Sequence, residues 1–107
     1  MQLKMLDGYP DLVGRRSIFC GYGNGPKPYV TGGDPLTTGQ FNYYIDSVDS
    51  SDLTVSGTYY CLPIQSKVGP RPTWKLKWIV AATNVEAANG LDLSAEQIQV
   101  SGKGGIF

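Results

Sequence analysis

Histidine is absent from the 107 residues. Its absence removes Ser-His-Asp and Cys-His nucleophilic machinery, every histidine-containing zinc site, and the one side chain that titrates near neutrality unaided. Charge is scarce as well: 17% of residues are charged, and nine Lys plus Arg balance nine Asp plus Glu to a formal net charge of zero. A chain with no net field has nothing to draw phosphate backbones or anionic lipid from a distance, so neither nucleic acid nor a membrane is expected as partner. Only two cysteines occur, Cys20 and Cys61, which allow one disulfide at most. The start of the chain has neither the basic region nor the apolar run of a secretory signal, which points to synthesis in a reducing cytoplasm, where two buried thiols are expected rather than a bridge. No apolar stretch nears the ~20 residues that cross a bilayer, because the most apolar one, 78–82, is bounded by Lys77 and Thr83-Asn84.

What the chain does hold is punctuation and aromatic bulk. Fourteen glycines and seven prolines imply many turns, yet they stay below the ~25–30% that marks low complexity. A hydrophobic fraction of 41% is too high for disorder, and the length suits one domain of ~100–150 residues. Between the glycine clusters the runs are short and rich in β-formers. In residues 73–82, Trp74, Leu76, Trp78 and Val80 share one side while Lys75 and Lys77 share the other. That period of two predicts a strand with its tryptophans inward. Residues 17–20, 41–48, 58–62 and 97–101 have the composition of further strands, with Leu12-Val13 and Leu53-Thr54-Val55 weaker. Single helical turns are conceivable only over 36–41 and 93–97, the latter with Ser94 as cap. The expected fold is all-β, an antiparallel β-sandwich or jelly-roll-like barrel with long loops and flexible terminal arms. Its parts are an arm 1–11, a core 12–101 and a tail 102–107.

Three motifs bear on chemistry. Gly21-Tyr22-Gly23-Asn24-Gly25 has the glycine spacing of a phosphate cradle, but no Gly-Lys-Ser/Thr follows, and Pro26 with Pro28 prevents the helix whose amino end would hold the phosphate. The alternative is a loop with glycines at positive φ and Asn24-Gly25 as a turn. Asp46, Asp49 and Asp52 fall three apart and have the oxygens for Ca²⁺ or for the carboxylate pair of a glycosidase. The EF-hand pattern is missing, and a solvated loop is expected instead. Tyr43-Tyr44 and Tyr59-Tyr60 suit sugar stacking or a protein interface, with one ring of each pair inward and the other outward. Nothing converges on a catalytic centre, so no catalytic residue, cofactor or metal ligand is expected and an enzyme ranks third among the readings. Partner contacts are expected from the amino-terminal arm (Leu3, Met5, Tyr9), from Tyr29 and Tyr43, from the loop 65–72 (Lys67, Arg71) and from the tail (Ile106, Phe107). Deleting 102–107 should then leave the melting of the isolated subunit nearly unchanged.

One order of motifs stands out. Tyr29-Val30-Thr31-Gly32-Gly33-Asp34-Pro35-Leu36 is followed by Ser56-Gly57-Thr58-Tyr59, by Trp74-Lys75-Leu76, and by Val85-Glu86-Ala87-Ala88-Asn89-Gly90-Leu91-Asp92-Leu93-Ser94. The series resembles small structural proteins of tailed-phage heads, the capsid decoration or cement proteins. There a Tyr-x-Thr-Gly-Gly segment, a central Gly-x-Tyr strand, a Lys-rich strand and a Glu-Val-x-Asn-Gly-x-Asp-Leu-Ser segment follow in the same order. Cys61 and Pro63 interrupt the central strand of that pattern, and 65–72 has no counterpart in it. The resemblance implies a non-enzymatic virion protein made in the host cytoplasm. On the capsid surface it would stabilise the head by binding major capsid subunits, with sister copies as a homotrimer. A head–tail or tail component is the nearest alternative. From a different class comes a carbohydrate- or ligand-binding β-sandwich module using Tyr22, Tyr29 or Tyr43.

Overall fold

The computed structural model describes residues 1–14, 16–39, 43–51, 53–69 and 72–106. Among them are nine strands and no helix: β1 (Lys4–Met5), β2 (Asp11–Val13), β3 (Arg16–Asn24), β4 (Asp34–Leu36), β5 (Tyr43–Ser51), β6 (Tyr59–Lys67), β7 (Thr73–Val80), β8 (Val85–Glu86) and β9 (Gln97–Ile106). They form two antiparallel sheets that face each other as a sandwich, one ordered β1-β3-β9-β5 with β2 also on β3, the other ordered β4-β7-β6 with β8 also on β7. Leu53-Thr54-Val55 is not a strand: it leads into a turn closed by the Gly57 amide on the Thr54 carbonyl at 2.8 Å, with the Val55 amide bonded to the Gln97 carbonyl at 3.0 Å.

The tryptophan strand β7 is the centre of the second sheet, and its alternation follows the predicted period from Lys75 to Trp78, with Leu76 and Trp78 buried and Lys75 exposed, but breaks at Ile79, which is buried on the lysine side. Trp78 meets Tyr59 edge to face at 6.2 Å between centroids, an arrangement the ring quadrupoles favour. From the first sheet Phe19, Ile98 and Val100 complete the interior, together with Tyr29, Leu3 and Leu93 from the connections.

Both expected arms are corrected. The carboxy-terminal segment is no tail: β9 continues to Ile106 and is the central strand of the first sheet, registered with β3 from Asn24↔Gln97 to Arg16↔Gly105 and with β5 from Ser51↔Val100 to Tyr43↔Ile106. Its glycines answer a steric demand. β5 bulges twice, between Ile45 and Ser47 and between Val48 and Ser50, and its backbone comes in close. A Cβ on Gly102 would land on the Ser47 carbonyl oxygen and 3.0 Å from the Phe19 ring; on Gly104 it would meet the Tyr44 carbonyl oxygen and lie 2.6 Å from the Tyr43 hydroxyl.

The amino-terminal segment is the seam of the sandwich. Lys4 and Met5 pair with Tyr22 and Gly21 in the first sheet, while the Leu3 amide donates to Thr37 O at 2.7 Å and the Thr37 amide to Met1 O at 2.9 Å, just past β4 of the second. Leu3 turns into the core, and the Met1 ammonium lies 2.8 Å from the shielded Asp34 carboxylate. Gly21 and Gly23 make room for this strand: each lies within β3 and faces inward, where a Cβ would sit 2.9 Å from the Lys4 carbonyl oxygen or from the Met1 side chain. The expectation of a loop at positive φ is therefore replaced by close approach inside a strand.

Candidate functional site

Strand β6 carries the feature that no packing within the chain explains. Residues 59–64 read Tyr-Tyr-Cys-Leu-Pro-Ile, apolar on both faces, a pattern typical of strands covered on both sides. The fold covers one side throughout and the other only at its start, where Ile79 opposite Tyr60 is buried. Tyr59 and Cys61 point inward, and burial pushes the Cys61 thiol well above its ordinary range. On the outer face Leu62 is 47% and Ile64 37% exposed. Tyr60, half-buried beside them, holds Asn84 Oδ1 through its hydroxyl at 2.9 Å.

The register sets what flanks this stripe. Tyr60 pairs with Ile79, Leu62 with Lys77 and Ile64 with Lys75, so an apolar column stands beside two lysines on the next strand, at a lateral spacing of about 4.8 Å. Beyond them comes Glu86, opposite Ile79, with Oε1 at 3.9 Å from Lys77 Nζ. β6 is also a sheet edge. Pro63 in its middle cannot donate to a ladder, and the register shift between Gln65 and Lys67 bends its end, two devices that blunt edge-to-edge pairing. The strand runs through Cys61 and Pro63, and its last residues occupy the first part of the segment 65–72.

Glu86 braces the end of this face. It accepts from the Tyr29 hydroxyl at 2.7 Å and from the Gly32 amide at 2.7 Å. The bond from Tyr29 first, then that from Gly32, with the Lys77 charge adding less, holds its carboxyl below the usual carboxylate range. Burial, and then the bond to Glu86, pushes the Tyr29 phenol far up. The same hydroxyl accepts from the Trp78 amide at 3.3 Å. Tyr29 N donates to Leu91 O at 2.8 Å, Gly90 N to Tyr29 O at 2.7 Å and Thr31 N to Asn89 Oδ1 at 3.0 Å. Two motifs more than fifty residues apart, 29–33 and 85–91, are thereby one unit.

The residues expected to meet partners are scattered. Leu3, Tyr29 and Tyr43 are 1, 0 and 8% exposed and leave the contact surface: Leu3 fills the seam, Tyr29 caps the core, and Tyr43 bonds Ser17 Oγ at 2.7 Å and meets Phe19 edge to face. Met5 packs against the core from β1, and Ile106 is half-buried at the end of β9. Tyr9, ahead of β2 in the first sheet, and Lys67, at the end of β6 in the second, are exposed but on different sheets. Arg71 and Phe107 lie outside the described residues. The outward stripe Tyr60, Leu62, Ile64 was not singled out, although the apolar run 59–64, which begins on the predicted strand 58–62 and continues past its end, was the signal that could have found it.

The acidic trio is not a loop cluster. Asp46 and Asp49 are in β5, where Asp46 lies 3.5 Å from Arg16 and Asp49 accepts from Ser47 Oγ at 3.1 Å; Asp52 is outside the described residues. No group of three His, Cys, Asp or Glu side chains is placed to hold a metal among the described residues. Cys20 and Cys61 are both thiols and belong to different sheets. No family model, no curated protein and no solved structure matches this chain.

Proposed function

We propose that this protein is a non-enzymatic virion component, a decoration or cement protein of a tailed-phage head, that adheres to major capsid subunits through the outer face of its second sheet. The observation that carries the reading is β6: six consecutive apolar residues, one face against the core and the other bearing Leu62 and Ile64 in water. Exposed apolar surface beside a polar rim is the usual mark of an interaction site. The ordered motifs shared with phage-head proteins supply the kind of partner, and the bonding of 29–33 to 85–91 supports them by making two of those motifs a single structural unit.

Lys75 and Lys77 beside the stripe call for an apolar patch with acidic side chains around it on the capsid subunit. Sister copies assemble as a homotrimer at local threefold positions. On a shell with many such positions, weak single contacts combine through high local concentration, so an individual interface of micromolar strength suffices.

The test uses undecorated heads of the phage that encodes the chain. Wild-type protein should sediment with the heads and raise the temperature at which they rupture. Leu62→Glu and Ile64→Glu, at side chains 47 and 37% exposed, should each still fold and melt cooperatively in isolation and should not sediment. Absence of binding by the wild type, or equal binding by both variants, rejects the reading.

A further inference from the structure

We infer that the outer face of the first sheet binds a saccharide in a groove over Tyr22. The groove, of about 410 Å³, is lined by Gln2, Lys4, Tyr22, Gly23, Asn24 and Gln97. It lies across three adjacent strands whose register fixes the side chains: Lys4 is opposite Tyr22, and Asn24 is opposite Gln97. Its floor therefore needs no ordering when a ligand arrives.

The donor set selects the ligand. Gln97 presents an amide that donates and accepts at once, as a sugar hydroxyl does, while the Gln2 amide packs against Gly39 at the groove's end. Asn24 is held in place by donating to the Ser94 carbonyl at 2.8 Å, which leaves its Oδ1 as an acceptor. Tyr22 is half-buried and makes no hydrogen bond with the described residues, so its ring and its hydroxyl are both available. An aromatic ring beside neutral amides matches the apolar C–H face and the hydroxyl rim of a pyranose. Tyr29 and Tyr43, the other tyrosines suited to sugar stacking, are committed to the core.

Other ligand classes fit poorly. A polyphosphate or nucleic acid would need several cations, and among the described residues Lys4 is the one cation lining the groove. An added peptide strand would pair at the outer edge of β1 and not over Tyr22, since β3 and β9 both have neighbours on each side. An apolar ligand would strand the amides without partners. With no carboxylate in the lining, Lys4 favours a sugar carrying an anionic substituent. The groove is on the sheet opposite the Leu62–Ile64 face, so it can be filled while that face is docked.

A glycan array spanning neutral and acidic oligosaccharides tests the inference, followed by titration of any hit with amide NMR. Binding should favour acidic glycans and shift the amides of Tyr22, Asn24 and Gln97. Tyr22→Ala and Gln97→Ala should each weaken it about tenfold or more, the scale of one lost hydrogen bond or stacking contact. Lys4→Ala should remove the preference for acidic over neutral glycans. Gln97 is exposed, so its variant decides the matter even if Tyr22→Ala folds poorly. Silence across the array, or binding that survives Gln97→Ala undiminished, overturns the inference. Head binding is unaffected by either result and is judged separately.

Discussion

β7 and β9 hold the same position, each the middle strand of its sheet, and they hold it by opposite means. β7 is bulk: Trp74, Leu76 and Trp78 project into the core and fill it. β9 begins in the same way with Ile98 and Val100, then changes to Gly102 and Gly104, where the inward face carries no side chain at all. There the bulged β5 backbone and the Phe19 and Tyr43 rings occupy the space that side chains would need. A sheet centre is thus specified in one place by what a residue adds and in the other by what it leaves out. Close packing treats both the same way, since an interior tolerates neither a hole nor an overlap.

The largest expected effect breaks the comparison outright. Truncation after Ser101 removes the pairing of Gly102 to Ile106 with both β3 and β5, leaving a double row of ladder groups without partners at ~1–3 kcal/mol for each one that stays buried. Several such groups together are comparable with the ~5–15 kcal/mol of a typical domain. The truncated chain should show no cooperative melting transition by circular dichroism. A transition like that of the full chain would restore the tail expected from composition.

Next in size is a matched pair. Trp78→Ala leaves a large cavity and should cost ~3–5 kcal/mol. Gly102→Ala adds a single methyl, yet should cost about 3 kcal/mol, at the upper end of overpacking, because the obstacle is the Ser47 backbone and not a mobile side chain. Urea denaturation of the two variants checks this. A cost below about 1 kcal/mol for Gly102→Ala would mean that β5 can yield, and the steric account of β9 would fail.

Gly57 sharpens the distinction between kinds of glycine. Its φ is +75° and nothing lies within 4 Å of a built Cβ, so only backbone preference opposes a side chain there. Gly57→Ala should cost ~1–2 kcal/mol, clearly less than Gly102→Ala in the same urea series. Equal costs would show that conformation and not space dominates at both.

The contrast also explains what the sequence disclosed. β7 was legible because period-two alternation of Trp and Lys is a signal carried by side chains, and the all-β sandwich followed from it and from the turn spacing. The end of β9 was illegible because Gly102-Lys103-Gly104-Gly105 has no side chains with which to announce an inward face, so composition mimics a linker. The seam was hidden for another reason: a two-residue strand such as Lys4–Met5 has no period, and both its partners Tyr22 and Gly21 and the Thr37 that bridges Gln2 are distant in sequence. Tyr29 lies among glycines and prolines, which read as an exposed loop, and tertiary bonds to Glu86, Trp78, Gly90 and Leu91 draw it in. The apolar face of β6 was visible in principle, since six apolar residues in a row outnumber what one buried face can use.

The smallest expected effect concerns the brace that joins the loop at Tyr29 to the second sheet. Glu86 has its carboxyl lowered from an ordinary value of 4.5 by the bonds from Tyr29 and Gly32. A carboxyl lowered in the folded state binds its proton more readily when unfolded, so its contribution is complete above 4.5 and fades as pH falls through the depressed value. Wild-type protein should therefore lose melting temperature on acidification below that point, and Glu86→Gln should lose less of it over the same interval while starting lower near neutrality. The glutamine keeps an acceptor for the Tyr29 hydroxyl and removes only the charge, which confines the difference to the slope. Melting curves recorded for both proteins at a series of acidic pH values supply the comparison. Parallel slopes would show that the Tyr29–Glu86 bond holds the loop without any help from the ionised carboxylate.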